Sequence, residues 1–242
     1  MNWFLIIRLK KINNIHGKRF TFSCLFYNMP LYRSVDIAPG TRLLIWKITE
    51  SLDELAEGVQ LKEVCVLKMG RMRSEQHQKG FLGVRQLMKV AGYSDLDLYY
   101  GPDGKPHLKD GTHISITHSY SFSAIIIGSC NTGIDMELQR EKVITIADKF
   151  IGDEFAYLDP LHMEEYMKKL IVIWCVKEAV YKMVSRKGLS FKQHINVYNF
   201  EMAAGRGMVG VSYKEINEAF HFHFEELDGF TLAWCLDNNL QG

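Results

Sequence analysis

Residues 113 to 138 read HISITHSYSFSAIIIGSCNTGIDMEL, and three consecutive strands can be read from that one stretch. HISITHS sets Ile114 and Ile116 in alternation with polar residues, the pattern of a half-buried strand. FSAIIIGS follows as an almost wholly apolar run of strand length, which suits a strand covered on both faces. Asn131, Thr132 and Gly133 supply a turn, after which Ile134, Met136 and Leu138 alternate with Asp135 and Glu137. Side chains two apart on a strand share a face, so the last strand aims two carboxylates at one place while its apolar trio turns to the core. Like charges that close need a cation between them or solvent around them.

Downstream, residues 171 to 183 read IVIWCVKEAVYKM, a helix in which Trp174, Glu178 and Lys182 recur every four residues. One reading of Glu178 and Lys182 is an ordinary helical ion pair, which contributes only about 0.2–0.5 kcal/mol. The other joins Glu178 to Asp135 and Glu137 as a third carboxylate. Three hard oxygen donors of this kind suit Mg2+, which keeps its remaining positions for waters and substrate phosphates. A solvated strand edge beside a surface helix is the plain alternative.

The rest of the chain surrounds these elements with mixed structure. Arg42 to Ile48 forms a strand, and TESLDELAEG a short helix ending at Gly58. RSEQHQKGFLGVRQLMKV, residues 73 to 90, predicts a longer helix with Ser74 as its cap. The Gly- and Pro-rich YYGPDGKPHLKDG reads as turns that present Lys105. A helical region is expected from Ile144 through Leu158, and strands around HINVYNF, GMVGVSY, FHFHFEEL and FTLAWCL. Helix plus strands thus occur twice, once before Gly133 and once after. The expectation is an α+β fold of two similar, pseudo-symmetric lobes, residues 29–132 and 133–242. Residues 1–28 read as an extension foreign to that fold, since a clean strand-forming stretch begins only at Met29; their apolar run, Trp3 to Ile7, is too short for a membrane span or a signal-peptide core.

Composition narrows the function classes. With 29 Lys and Arg against 28 Asp and Glu in 242 residues, no global field draws the chain to nucleic acid or a membrane surface, and any anion site must be local. Five widely spaced cysteines without a CxxC pair fit a reducing cytoplasm.

In order, GKP at 104–106, ITHS at 116–119, GIDME at 133–137 and WCVKEAVYK at 174–182 resemble the motif series of the 4'-phosphopantetheinyl transferase superfamily, and the likeness extends through RKGLSF at 186–191. The arrangement is similar to the two-lobe, surfactin-synthetase-activating type. The resemblance implies a monomeric enzyme that transfers the phosphopantetheine arm of coenzyme A to a serine of an acyl or peptidyl carrier protein, with coenzyme A in the cleft between the lobes. It implies Mg2+ held by Asp135, Glu137 and Glu178, with Glu178 also taking the serine proton and Lys182 assisting the departing phosphate. His118 and Thr117 would meet the 3'-phosphate and Lys105 another phosphate, with Lys79 or Arg73 adding positive charge. Glu154 matches a family carboxylate near the site and equally suits a helix cap; His107 is either a site residue or loop surface. The rival chemistries are a metal-dependent nucleotide or phosphodiester hydrolase and a silent coenzyme A or carrier-protein binding module.

Overall fold

Residues 31–237 are described by a computed structural model, so the extension expected over residues 1–28 lies outside the described residues. The chain begins there with β1 (Leu31–Ala38) and β2 (Thr41–Lys47), joined through Gly40 at φ +66°. Three helices follow: α1 (Leu52–Ala56), α2 (Glu63–Gly70) and α3 (Glu75–Val90). Ser51 caps α1 in a reciprocal box with Glu54, as its sequence suggests, whereas Ser74 occupies the cap position of α3 without a side-chain bond. The apolar and alternating runs become β5 (His113–Ser119), β6 (Phe122–Gly128) and β7 (Thr132–Leu138).

The second half carries α4 (Lys142–Ile146), α5 (Met163–Val184) and α6 (Phe191–His194). Its strands are β8 (Ile195–Val197), β9 (Arg206–Tyr213), β10 (Ile216–Leu227) and β11 (Phe230–Leu236). One antiparallel sheet runs in the order β1-β2-β6-β5 and a second in the order β7-β11-β10-β9-β8, so the described chain is α+β. The inner face of α3 (Phe81, Leu82, Val84, Leu87 and Met88) packs on one side of the first sheet, and α5 packs on one side of the second. A third cluster lies between the sheets, where Leu43, Ile45, Phe122, Ala124 and Ile126 of the first meet Ile134, Met136 and Leu232 of the second.

Three local expectations need correction. The Gly- and Pro-rich segment is more than turns: β3 (Leu98–Tyr100) and β4 (Pro106–Leu108) pair as a short hairpin, with Tyr99 stacked on its partner His107 at 5.3 Å. Pro106 is tolerated because it starts its strand. The helical region from Ile144 to Leu158 is broken into α4 and two short 3-10 turns, Ala147–Lys149 and Asp153–Tyr157. Its backbone bends at Gly152, where a Cβ would stand 2.7 Å from the Lys192 carbonyl oxygen. Finally, β5 is not half-buried in the expected sense, because Ser115, Thr117 and Ser119 are covered as well as Ile114.

That covering is the joint between the two sheets. The Ile134 and Met136 amides donate to Ser115 Oγ (3.1 Å) and Thr117 Oγ1 (3.2 Å), so hydroxyls of β5 satisfy the outer edge of β7. On the other side, α5 lies so close to β7 that a Cβ at Gly133 would come within 1.7 Å of the Ala179 carbonyl oxygen. Gly133→Ala should therefore force the helix off the strand and destabilise the protein by about 3 kcal/mol or more. Gly70→Ala, at a helix position with nothing within 4 Å of the added carbon, should be near neutral or slightly stabilising. Denaturant midpoints of the two variants make the comparison; equal stability would place α5 farther from β7 than described.

Candidate functional site

Gly133, Asp135 and Glu137 share the face of β7 that looks at α5, because β-strand side chains alternate. The glycine admits the helix, and the next two positions on that face are the carboxylates. Asp135 is buried; its Oδ1 accepts from Lys182 Nζ at 2.8 Å and from Thr117 Oγ1 at 3.2 Å, while Oδ2 is buried without a partner. Lys182 Nζ also donates to the Ile134 carbonyl at 2.9 Å. Glu137 is half-buried and accepts from Ser119 Oγ at 3.4 Å; burial and then the Asp135 charge raise its pKa. Glu178 is half-buried on α5, and burial, with Asp135 as the next cause, pushes its carboxyl up to about 7.

The spacing of Glu178 and Lys182 is thus not a helical ion pair, because Lys182 pairs with Asp135 instead. The neighbouring Lys177 has a different task. It is fully buried and pairs with Glu154 at 2.6 Å, and it donates to the carbonyls of Phe150 (2.7 Å) and Phe191 (2.9 Å). Glu154 in turn accepts from the Val197 amide (3.0 Å) and the Gly152 amide (2.8 Å). With both carboxylate oxygens engaged inside the core, Glu154 ties α5 to β8 and, through the Gly152 amide, also caps the start of its own 3-10 turn.

Among the described residues, no group of three or more His, Cys, Asp or Glu side chains is gathered closely enough to hold a metal ion. Asp135, Glu137 and Glu178 are therefore not drawn around one point. Their chemistry nevertheless suits a hard divalent cation. All the donors are carboxylate oxygens, Asp135 and Glu137 both push the Glu178 pKa up, and Asp135 Oδ2 is a buried acceptor without a donor.

Beside Asp135 opens a cavity of about 600 Å³ between α2, α3, the β3–β4 loop, β5 and the end of α5. Of the residues expected from sequence, Lys105, Thr117, His118, Asp135 and Lys182 line it. Lys105 donates to Asn131 Oδ1 and to the Met183 carbonyl, both at 2.9 Å, and so also caps the C-terminal end of α5; burial lowers its pKa. Thr117 is occupied by Asp135 and the Met136 amide. His118 lies over α3 where Gly80 leaves room, a Cβ there coming within 2.8 Å of Nδ1. Its ring is open to the cavity yet low in it, and desolvation, then His77 and Lys182, hold its pKa below the ordinary value.

Other expected residues lie elsewhere. Lys79 forms an ion pair with Glu75 at 3.0 Å, and neither it nor Arg73 lines the cavity. Glu137 lines a smaller, separate pocket with Arg140 and Trp174, and Glu178 lies on neither lining. Sequence reasoning missed Lys68, His77 and Arg85, which do line the cavity. His77, Phe81 and Arg85 recur every four residues on α3, a signal available in the sequence; Lys68 lies on a helix that the sequence reading overlooked. Arg85 is already paired with buried Asp95 at 3.0 Å, its guanidinium 3.5 Å from the Phe81 ring centroid. Lys68 stands over the Tyr100 ring at the cavity wall.

A family model described as the 4'-phosphopantetheinyl transferase superfamily matches residues 131–235. That span holds Asp135, Glu137, Lys177, Glu178 and Lys182, and stops short of the first sheet. No curated protein matches the chain.

Two measurements separate the roles of these charges. The folded pKa of Glu178 lies above the unfolded value of 4.5, so its ionisation costs folding free energy: stability falls as pH rises from about 4.5 to about 7 and stays lower above that. In a chelating buffer, Glu178→Gln should be more stable than the parent at pH 8, by on the order of 1–2 kcal/mol given the partly exposed carboxylate, with the advantage gone near pH 4.5. A difference independent of pH would remove the buried-charge argument. Lys177→Met should cost about 3–5 kcal/mol by leaving Glu154 buried and unpaired, and Lys182→Met no more than about half of that, both read from denaturant melts. Equal costs would mean that Lys182 is as structural as Lys177.

Proposed function

We propose that this protein transfers the 4'-phosphopantetheine arm of coenzyme A to a serine hydroxyl of an apo acyl or peptidyl carrier protein and releases 3',5'-ADP. The reading takes the two-lobe form of the superfamily, with residues 29–132 and 133–242 as the lobes and coenzyme A in the cleft between them. One observation carries it: Asp135 and Lys182, inside the matched span, stand at the wall of a cavity whose other wall, outside that span, brings Lys68, His77, Lys105 and His118. Lys68 and Lys105 supply the local positive charge that an overall charge of +1 does not, and the imidazoles of His77 and His118 add ring N–H donors.

Asp135, Glu137 and Glu178 would hold Mg2+, which when bound neutralises the pyrophosphate and the leaving phosphate. Glu178, with a pKa near neutral, is suited to accept the serine proton as the hydroxyl attacks the phosphorus. Lys182 Nζ, held by Asp135 and the Ile134 carbonyl, offers its ammonium to the developing charge on the departing 3',5'-ADP. His118 contacts the 3'-phosphate. Lys105 has two of its three N–H groups engaged and so one for a phosphate oxygen. Thr117 serves by positioning Asp135, and Lys68 and His77 take the part that the sequence suggested for Lys79 and Arg73.

The test is to incubate the protein with coenzyme A, Mg2+ and an apo carrier protein and weigh the carrier by mass spectrometry. Gain of one phosphopantetheine arm on the acceptor serine supports the proposal. Coenzyme A cleavage with an unchanged carrier would point to the hydrolase, and no turnover to a binding module. In the same assay Glu178→Gln should lower turnover about a hundredfold or more. His118→Ala should raise KM for coenzyme A by roughly tenfold to a hundredfold while leaving that for 3'-dephospho-coenzyme A nearly unchanged. Equal losses with both donors would take His118 away from the 3'-phosphate.

A further inference from the structure

Strand β10 carries a second set of donor side chains, away from the cavity and unrelated to the proposed reaction. Phe220, Phe222 and Phe224 point into the core against α5, so the intervening His221 and His223 share the opposite face of the sheet. His221 is exposed and His223 partly so. In register across the strand pairs, His221 lies opposite Met208 of β9, while His223 has Arg206 on one side and Trp234 of β11 on the other. The His223 ring stacks on Trp234 with centroids 5.5 Å apart and planes 16° off parallel.

We propose that this face is a binding site for a copper ion, chelated by the imidazoles of His221 and His223 with the Met208 thioether as a third donor. Residues two apart on a strand lie about 6.6 Å apart along the chain, a span two imidazoles can close around one ion at metal–nitrogen distances near 2 Å. The Met208 side chain, directly across from His221, starts about 4.5–5.5 Å away at Cβ. Imidazole nitrogens and a thioether favour copper over Mg2+ or Ca2+, imidazole affinity among divalent first-row ions peaks at Cu2+, and the carboxylate next along the same face, Glu225, is engaged by Arg33. Arg206 also faces the site, and its charge lowers the affinity without removing a donor. The acidic cluster lies on the other face of the second sheet, against α5, so the two sites select opposite classes of cation.

The test titrates Cu2+ into the full chain at pH 7.5, following heat and tryptophan fluorescence, in the parent protein and in H221N/H223N. The parent should bind one Cu2+ that the double variant does not, with quenching of the indole stacked on His223; H221N alone should weaken that event at least tenfold. Millimolar Mg2+ should not compete, and Asp135→Ala should bind Cu2+ as the parent does. Circular dichroism confirms that each variant is folded. Unchanged affinity in H221N/H223N, competition by Mg2+, or loss of binding in Asp135→Ala would each overturn the proposal. Cu+ affinity, read by chelator competition, should fall in Met208→Leu; an unchanged value would overturn the third donor.

Discussion

Gly133 admits the backbone of α5 to a distance from β7 that no side chain permits, and the chemistry of the site is arranged around that contact. A helix held this close brings successive turns over successive strand positions. Ala179 covers the glycine, and Lys182 reaches Asp135 and the Ile134 carbonyl. Moving the helix out by one methyl group would lengthen every one of these contacts, and bonds to charged groups weaken steeply with distance. The helix is held in place from behind by the fully buried Lys177, bound to Glu154 and to the carbonyls of Phe150 and Phe191. The adjacent residues 177 and 178 therefore divide the work: one anchors the helix, and the other is left half-buried with an elevated pKa.

The opposite edge of β7 makes a second joint, which carries the cavity. Hydroxyls of Ser115 and Thr117 accept the amides that an edge strand would otherwise leave open, so the two sheets meet through polar side chains beside the apolar cluster between them. Thr117 completes the link by donating to Asp135 from the same hydroxyl. Because β5 also bears His118, the strand that fixes one carboxylate lines the wall on which an anionic substrate would rest. Lys105 closes the far end by binding the Met183 carbonyl in the last turn of α5, where a cation is favoured by the helix dipole. The cavity wall is thereby tied at both ends to the helix that carries Glu178.

Much of this was legible in the sequence because the relevant signals are short-range. Period-two alternation located β5 and β7 and put Asp135 and Glu137 on one face; four-residue spacing identified α5. Helix α2 was not legible: Lys62 gives no side-chain cap, and Val64 and Leu67 are exposed, so no buried stripe marks it. The hairpin of β3 and β4 was hidden by turn residues that make up most of its length. The partner of each lysine lies beyond what spacing encodes. Lys79 and Lys182 look alike on their helices, yet one pairs with Glu75 within its own helix and the other with an aspartate 47 residues away, and only the packing decides which faces the cavity.

The central claim is that the carboxylates of β7 and α5 and the cations of the first sheet's wall act on one ligand, a coenzyme A whose phosphates lie against a divalent ion. Phosphorus NMR of coenzyme A with the protein and substoichiometric Mn2+ tests it directly, because a paramagnetic ion broadens only the phosphorus nuclei near it. The account predicts strong, selective broadening of the pyrophosphate resonances in the parent protein and its loss in Asp135→Asn under conditions where coenzyme A still binds. Equal broadening in both proteins, or none in either despite bound coenzyme A, would contradict it.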